Sequence, residues 1–503
     1  MELSSKTMLQ KRNWPESSEK NLAPVNLEGK KSSPNFSAFS RPETFYRILP
    51  GGRILRGPLR ILAGLPRENI KGLEGRLIQC WGFCCCLWVS VPMDSRSASA
   101  GLMAQHRQLF PALQGKAYFN YGGQGPMPQA ALDALFEGYR TVQARGPFSQ
   151  SAGSWATEVT EALRKAIAAE LSVEPGTISL TENVSAGCNV ALWGLDWRSG
   201  DHLLLSDCEH PGVVAAAYEV QRRFGVEVSV CPLQTTLNGG DPVAAVMAHV
   251  RPQTRLVVLS HVLWNTGQVL PLKAIAQACR QADTREPLRI LVDAAQSVGA
   301  IPLDLADLGV DFYAFTGHKW WCGPEGVGGL YVRPEALESL RPTLIGWRGV
   351  VQVTDGVIWQ PDGRRFEVAT SAYPLYCGLR AAIAVHNQWG TARDRYERMV
   401  SLSDRLWRGL SKIEAIARLK TTPPEAGLVA FQLRCPEPDR QHPRLVQFLE
   451  AQHIYIRLIR DPNSVRACVH YFTTEDEIDQ LLAAVRAFCA SREFASLESG
   501  RAS

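Results

Sequence analysis

Four short runs in this chain, three of them almost wholly apolar, end on residues that could do chemistry together. In "DFYAFTGHKWW", Phe312 to Phe315 reads as a short buried strand, and Thr316, His318 and Lys319 follow it ahead of two tryptophans. In "LRILVDAAQS", Asp293 closes a second run, with Gln296 three residues on. In "LLLSDCEHPG", His210 follows a third and precedes a proline that suits a helix start. "ISLTENVSAGCNVALWGL" passes from strand to helix through Asn183, Ser185 and Gly187. A carboxylate beyond a buried strand is costly unless a cation or hydrogen-bond donors meet it. Partial burial disfavours the ammonium form of a lysine, making its amine a better nucleophile and a base. A helix N-terminus offers unpaired N–H groups and the positive end of a dipole, which suit a phosphate.

Taken singly, each feature has an ordinary explanation. Lys319 could be a solvated lysine, Asp293 a helix cap, His210 a structural histidine and the Asn183–Gly187 turn any helix start. Taken together they meet the needs of pyridoxal 5′-phosphate (PLP). Its aldehyde needs an amine, its pyridine nitrogen a carboxylate that keeps the ring protonated as an electron sink, its ring face a flat partner and its phosphate fixed donors.

These residues need elements that bring strand ends together. From about residue 104 helix-like and strand-like stretches alternate. Val159 to Ser172, Val213 to Phe224 and Leu272 to Ala282 read as helices; His202 to Ser206, Val226 to Val230, Arg255 to Ser260 and Leu288 to Val292 read as strands. Such alternation predicts an α/β domain with a mainly parallel sheet, whose ligands sit beyond the carboxyl ends of the strands. The pattern changes after about residue 345, where a Gly/Trp/Arg loop leads into an irregular segment ending near Pro374, followed by a helix-rich tail. In the last helix Thr474 and Glu477 form a capping box ahead of the apolar stripe Ile478, Leu481, Leu482, Val485 and Phe488.

The 503 residues carry a net charge of +5, unevenly spread. Residues 1–92 hold 14 Lys/Arg against 7 Asp/Glu, the remainder 40 against 42. The body of the chain therefore lacks the basic surplus of a general nucleic-acid binder. No run reaches the roughly 18 apolar residues of a membrane span. The 13 cysteines include no CxxC pair and no metal-ligand spacing, so they read as free thiols of a reducing, cytoplasmic compartment, with no metal site. Residues 1–92 read as disordered or non-native, with three accounts open: a cleaved, organelle-targeting peptide, a regulatory tail, or sequence upstream of the true start at Met93 or Met103.

"LVDAAQSVGAIPLDLADLGVDFYAFTGHKWW" resembles the core of class V, fold-type I PLP enzymes, a group that includes the cysteine desulfurases. Over about 104–492, "YFNYGGQGPMP", "LLLSDCEHPG", "HVLWNTGQVLPL", "TGHKWW" and "RRFEVATSAYP" resemble the L-cysteine/cystine C–S lyases. The resemblance implies a large PLP-binding domain at 131–350 with a mainly parallel seven-stranded sheet flanked by helices. It also implies a segment at 93–130 packed on a small domain, an interface segment at 351–380, a small α+β domain at 381–492 and a tail at 493–503. It makes Lys319 the Schiff-base lysine, pairs Asp293 with the pyridine nitrogen, gives Gln296 to the ring oxygen O3′ and stacks His210 on the ring. Ser185, Ala186, Thr316 and His318 would contact the phosphate, and Thr370 that of the partner in a homodimer. Arg457 and Arg466 would clamp substrate carboxylates, a task suited to a planar guanidinium. Where many relatives have an asparagine before "NTG" this chain has Trp264, with Asn265 beside it, and either faces the cofactor. The expected reaction is β-elimination from cystine or cysteine, supplying sulfur for iron–sulfur cluster assembly through a sulfur-acceptor protein. Desulfurase, aminotransferase and epimerase chemistry remain open on the same scaffold. "RLIRDPNSVRAC" holds no cysteine before Cys468, where a strand is expected, which argues against a desulfurase.

Overall fold

Seven buried or half-buried strands organise the larger part of the structure, a computed structural model that describes residues 103–491. The expectations for residues 1–92 and for the tail at 493–503 lie outside the described residues. The strands are β1 (Ile178–Thr181), β2 (His202–Ser206), β3 (Glu227–Cys231), β4 (Thr254–Ser260), β5 (Arg289–Asp293), β6 (Phe312–Thr316) and β7 (Gly328–Val332), in the order β1-β7-β6-β5-β4-β2-β3. Pairings β3–β2–β4–β5–β6 are parallel; β7 runs against both of its neighbours. A loop without a crossover helix, residues 317–327, joins β6 to β7. Lys319 rides on that loop.

The central strands are apolar because both faces are covered. Leu204, Val257, Leu259, Ile290, Val292 and Phe315 belong to one cluster; Leu203, Leu205, Val258, Leu291, Phe312 and Ala314 belong to the other. Side chains thus alternate along each strand between two cores. Helices α1 (Gln150–Leu171), α2 (Val184–Gly194), α3 (Pro211–Phe224) and α4 (Leu272–Arg280) flank the sheet, and α1 extends well ahead of the stretch that the sequence marks.

A second sheet is antiparallel, in the order β8 (Ile416–Arg418), β9 (Leu428–Leu433), β11 (Asn463–Cys468) and β10 (Arg457–Arg460). Helices α5 (Tyr373–Trp389) and α6 (Ala392–Leu410) precede it and α7 (Glu475–Cys489) follows. The expected capping box of α7 forms, and its apolar stripe is buried. The chain's early segment docks on this part: Ala117 pairs with Ile454, and Arg107 meets Glu477 at 2.6 Å. A further cluster containing Phe110, Tyr121, Trp320, Leu428, Tyr471 and Phe472 joins the Lys319 loop to the second sheet.

Candidate active site

The carboxyl ends of β2, β4, β5 and β6 and the start of α2 converge on one cavity of about 470 Å³. Ser185, His210, Asp293, Gln296, His318 and Lys319 line it from the large sheet, and Arg457 and Arg466 line it from the second. Eight of the residues singled out in the sequence, drawn from a span of nearly three hundred, therefore share one wall system.

Lys319 retains partial exposure and makes no hydrogen bond or ion pair with another side chain among the described residues. Burial lowers its ammonium pKa to about 8; Asp293 opposes the shift and Arg466 adds to it. Asp293 is 5% exposed, and its Oδ1 accepts the N–H of Ala295 at 2.9 Å. His210 is the N-cap of α3: its Nδ1 accepts the N–H of Gly212 at 3.2 Å, so a neutral ring carries its proton on Nε2. Burial lowers the pKa of His210 although Asp293 pulls it up, and burial together with Lys319 lowers that of His318. His318 Nδ1 and Thr316 Oγ1 lie 2.7 Å apart, which places Thr316 behind the cavity wall as a support for His318.

Gln296 is held at both ends. Its Oε1 accepts the indole N–H of Trp320 at 3.0 Å and its Nε2 donates to the Gly122 carbonyl at 2.8 Å, which fixes the amide orientation. A side chain at Gly122 would displace two wall residues, because its Cβ would stand 2.8 Å from Arg466 Nη2 and 2.9 Å from Gln296 Oε1. At Gly125 a Cβ would collide with the Lys319 carbonyl. The glycine-rich turn of "YFNYGGQG" thus lets the backbone close against the lysine loop.

Arg457 and Arg466 are direct cross-strand partners on β10 and β11. Like charges facing each other are destabilising unless an anion joins them. Neither makes an ion pair among the described residues; Arg466, 3% exposed, donates Nη1 to the Trp264 carbonyl at 2.6 Å.

Besides Thr316, three expected residues stand elsewhere. Asn265 does not line the cavity: its Nδ2 donates to the Asp461 carbonyl at 3.1 Å, and Trp264 takes the wall position, its ring edge-on to His210 with centroids 5.9 Å apart. The Ala186 N–H is taken up by the Oδ1 of its N-cap Asn183 at 3.0 Å, leaving the earlier amides of α2 and the Ser185 hydroxyl for an anion. Thr370 is exposed and borders a different cavity, of about 300 Å³, beside Thr181 and Ala186. Sequence reasoning missed Gly122, Ser260 and Val262 of the wall and the buried Glu209 beneath it. Glu209 left a signal: it is an acid next to His210, directly after an apolar strand.

The sequence profile of the Aminotransferase class-V family matches residues 117–481. Among solved structures, the cystine C–S lyase C-DES in complex with its reaction product cysteine persulfide is 48% identical, with a TM-score of 0.73, covering 75% of this chain and 99% of that one. A mutant of the same enzyme carries glycine covalently linked to its PLP cofactor. A probable cysteine desulfurase of Xylella fastidiosa (strain 9a5c) is 29% identical over 398 residues, 75% of this chain and 93% of its own length. The isopenicillin N epimerase of Streptomyces clavuligerus is 30% identical over 382 residues, 73% and 94%. The architecture is accordingly that of fold-type I PLP transferases, and the chain belongs to the aminotransferase class-V family.

Proposed function

We propose that this chain is a PLP-dependent carbon–sulfur lyase that cleaves L-cystine, and L-cysteine, by β-elimination to pyruvate, ammonia and a persulfide or sulfide. The charge of the cavity carries the reading: Lys319, Arg457 and Arg466 face it without carboxylate partners among the described residues, while Asp293 lines it from β5. Such a site takes an anionic cofactor and a substrate with two carboxylates, as cystine has. The residues fit PLP. Asp293 would meet the ring nitrogen, Lys319 the aldehyde, Gln296 the ring oxygen, His210 the ring face, and the start of α2 with His318 the phosphate.

When bound, the cofactor supplies an aldehyde for amines and a protonated ring that stabilises negative charge at the substrate Cα. Asp293 keeps the ring nitrogen protonated. Lys319, with its ammonium form disfavoured, takes the Cα proton at Nζ. Arg466 orients the carboxylate beside the reacting carbon and Arg457 the distal one. Elimination breaks the Cα–H and Cβ–S bonds, and the sulfur leaves with the electron pair as a persulfide anion. Hydrolysis of the three-carbon remainder gives pyruvate and ammonia.

A desulfurase needs a cysteine that reaches the substrate sulfur. Among the described residues no cysteine lines the cavity, and Cys468 is fully buried at the end of β11. This favours the lyase. The likeness to the structure solved with cysteine persulfide supports the same choice.

The protein works as a homodimer in this reading. Phe148 is 97% exposed; it and the exposed Trp347 line one cavity that Thr370 borders and the exposed Leu344 lines another, apolar surface of the kind interfaces cover. Thr370 then serves the partner's phosphate. No helix of the described residues is long and apolar enough to cross a membrane, and their nine cysteines are free thiols, which suits a reducing cytoplasm. The released sulfane sulfur would pass to an acceptor protein, as iron–sulfur cluster assembly requires.

The test is a panel of cystine, cysteine and other amino acids with pyruvate, alanine and sulfide measured together. Pyruvate equal to the cystine consumed supports the lyase. Alanine with sulfur retained on a protein cysteine makes the chain a desulfurase, and inverted substrate with neither product makes it an epimerase.

A further inference from the structure

We propose that Glu209 is a positioning residue for this cavity, acting through a hydrogen bond to Ser260 whose direction its own protonation sets. The inference rests on the cavity being the active site. Glu209 follows β2 and adjoins His210, yet it turns inward and is 6% exposed. Its carboxyl group ties the ends of β2 and β4 together. Oε1 accepts the Ser206 hydroxyl and, at 2.9 Å, the N–H of Ser260; Oε2 lies 2.8 Å from Ser260 Oγ.

The protons can be assigned by elimination. Ser206 Oγ accepts the N–H of Cys208 at 3.2 Å, so its own proton points to Glu209 Oε1. Oε1 already receives two donors, and a proton on the carboxyl group sits on Oε2, against Ser260 Oγ. Ser260 is the register partner of Asp293 across β4 and β5, and it lines the cavity. With Glu209 ionised, the Ser260 hydroxyl donates inward and offers the cavity only lone pairs. With Glu209 neutral, the acid donates to Ser260 Oγ and frees the serine proton for an oxygen acceptor of a bound cofactor or substrate.

The surroundings favour the neutral form. Burial raises the Glu209 pKa to about 8 and the Asp293 carboxylate on β5 adds to the rise, while the serine donors oppose it. The other titratable groups facing it are the thiols of Cys188 on α2, Cys208 beside it and Cys231 on β3, all pushed up by burial and uncharged near neutrality. Among the described residues no cation contributes to the shift of Glu209.

Glu209→Gln fixes the neutral arrangement at every pH, because its amide oxygen keeps the two donors and its N–H₂ donates to Ser260. Ser260→Ala keeps the N–H contact and removes the hydroxyl. Two readouts on the full chain test the idea. Infrared spectra of protein with and without PLP should show a neutral carboxylic-acid stretch near pH 7 that is halved near pH 8 in the parent, is lost above roughly pH 9, and is missing in Glu209→Gln. The kcat/KM for cystine should fall about tenfold between roughly pH 7 and pH 9 in the parent, as expected for loss of one acid form. That fall should shrink to under about twofold in both Glu209→Gln and Ser260→Ala. An unchanged infrared band in Glu209→Gln overturns the proposal. So does an alkaline fall as steep in Glu209→Gln as in the parent, which assigns it to another group. The infrared readout does not depend on which reaction the cavity catalyses, so a failed lyase assay and a failed clamp are distinguishable.

Discussion

The two arginines are not equivalent, and the difference can be measured. Arg466 is 3% exposed and pinned to the Trp264 carbonyl, whereas Arg457, its partner across β10 and β11, is exposed. In the proposed reaction the buried guanidinium meets the carboxylate next to the reacting carbon, which every amino-acid substrate has. The exposed one belongs to the distal carboxylate, which cystine has and cysteine lacks. Truncating one partner of a desolvated charge pair costs about 2–5 kcal/mol. At about 3 kcal/mol, Arg466→Met lowers kcat/KM about 150-fold for cystine and cysteine alike. An exposed pair is worth at most about 1 kcal/mol, so Arg457→Met lowers kcat/KM about fivefold, and only for cystine. The assay is initial-rate pyruvate release from each substrate, read as the cystine-to-cysteine ratio of kcat/KM. The ratio should hold in Arg466→Met and drop about fivefold in Arg457→Met. If Arg457→Met slows both substrates equally, or more than Arg466→Met does, the assignment by burial is wrong.

Lys319→Ala should abolish the visible absorbance of lysine-bound PLP and slow elimination about ten-thousandfold, since it removes both the attachment point and the proton acceptor; a stopped-flow spectrum and single-turnover pyruvate release check both. Acid should unfold the protein through its buried histidines. Burial lowers the pKa of His261 and His470 to about 3 and that of His202 to about 4, so the folded chain binds protons less readily than the unfolded chain. Their stabilisation is complete above about pH 6.5 and is lost as pH falls towards 3, on the order of several kcal/mol for each fully buried ring; thermal unfolding should weaken steeply between about pH 6 and pH 4, and a midpoint flat over that range would refute the assignment. Arg164→Met should cost about 3–5 kcal/mol in urea unfolding, because Arg164, 1% exposed, donates to Glu367 Oε1 at 2.6 Å and its loss leaves a buried carboxylate with the Leu180 N–H at 3.0 Å and the less closely held Arg348 at 3.2 Å.

The elements that place the site were legible because their signals are local. His202–Ser206 appears as a strand with the bounds the sequence gives, and β3, β4 and β5 differ by a residue at their ends. Apolar β-rich runs bounded by turn residues have little else to become. The first half of α1 escaped notice because "QSAGSWATE" is rich in small polar residues and lacks helical periodicity; its helix is fixed by the Ser149 cap and by burial of Trp155. The reversed direction of β7 is a tertiary fact that no local pattern encodes. Within the site, Lys319, Asp293, Gln296 and His210 were readable because each follows a strand end, where chemistry has a bland alternative that can be weighed. The sequence left Trp264 and Asn265 as alternatives because one residue of register decides which side chain of a tight turn faces inward, and here Asn265 turns to a contact with Asp461, far along the chain. Glu209 went unremarked because its partners, Ser206 and Ser260, lie on two different strands.

The support behind the cavity explains why its cations can be left unpaired. His386 Nε2 donates to the Trp321 carbonyl at 2.9 Å and its Nδ1 receives the Tyr471 hydroxyl at 2.8 Å, so both nitrogens are used by a neutral ring. His470 Nε2 donates to the Trp320 carbonyl at 2.9 Å. The two residues directly after Lys319 are therefore gripped by uncharged donors, and burial keeps both rings neutral. A lysine or arginine in those places would hold the loop equally well but would add positive charge beneath a cavity that already carries three cations. Neutral support leaves Asp293 free of any ion-pair partner and leaves Arg466 as a neighbour that depresses the Lys319 pKa. The guanidinium proposed to hold the substrate carboxylate thus also helps to keep the lysine amine unprotonated. Substrate choice and proton abstraction are coupled through one charge, so a change at Arg466 alters both.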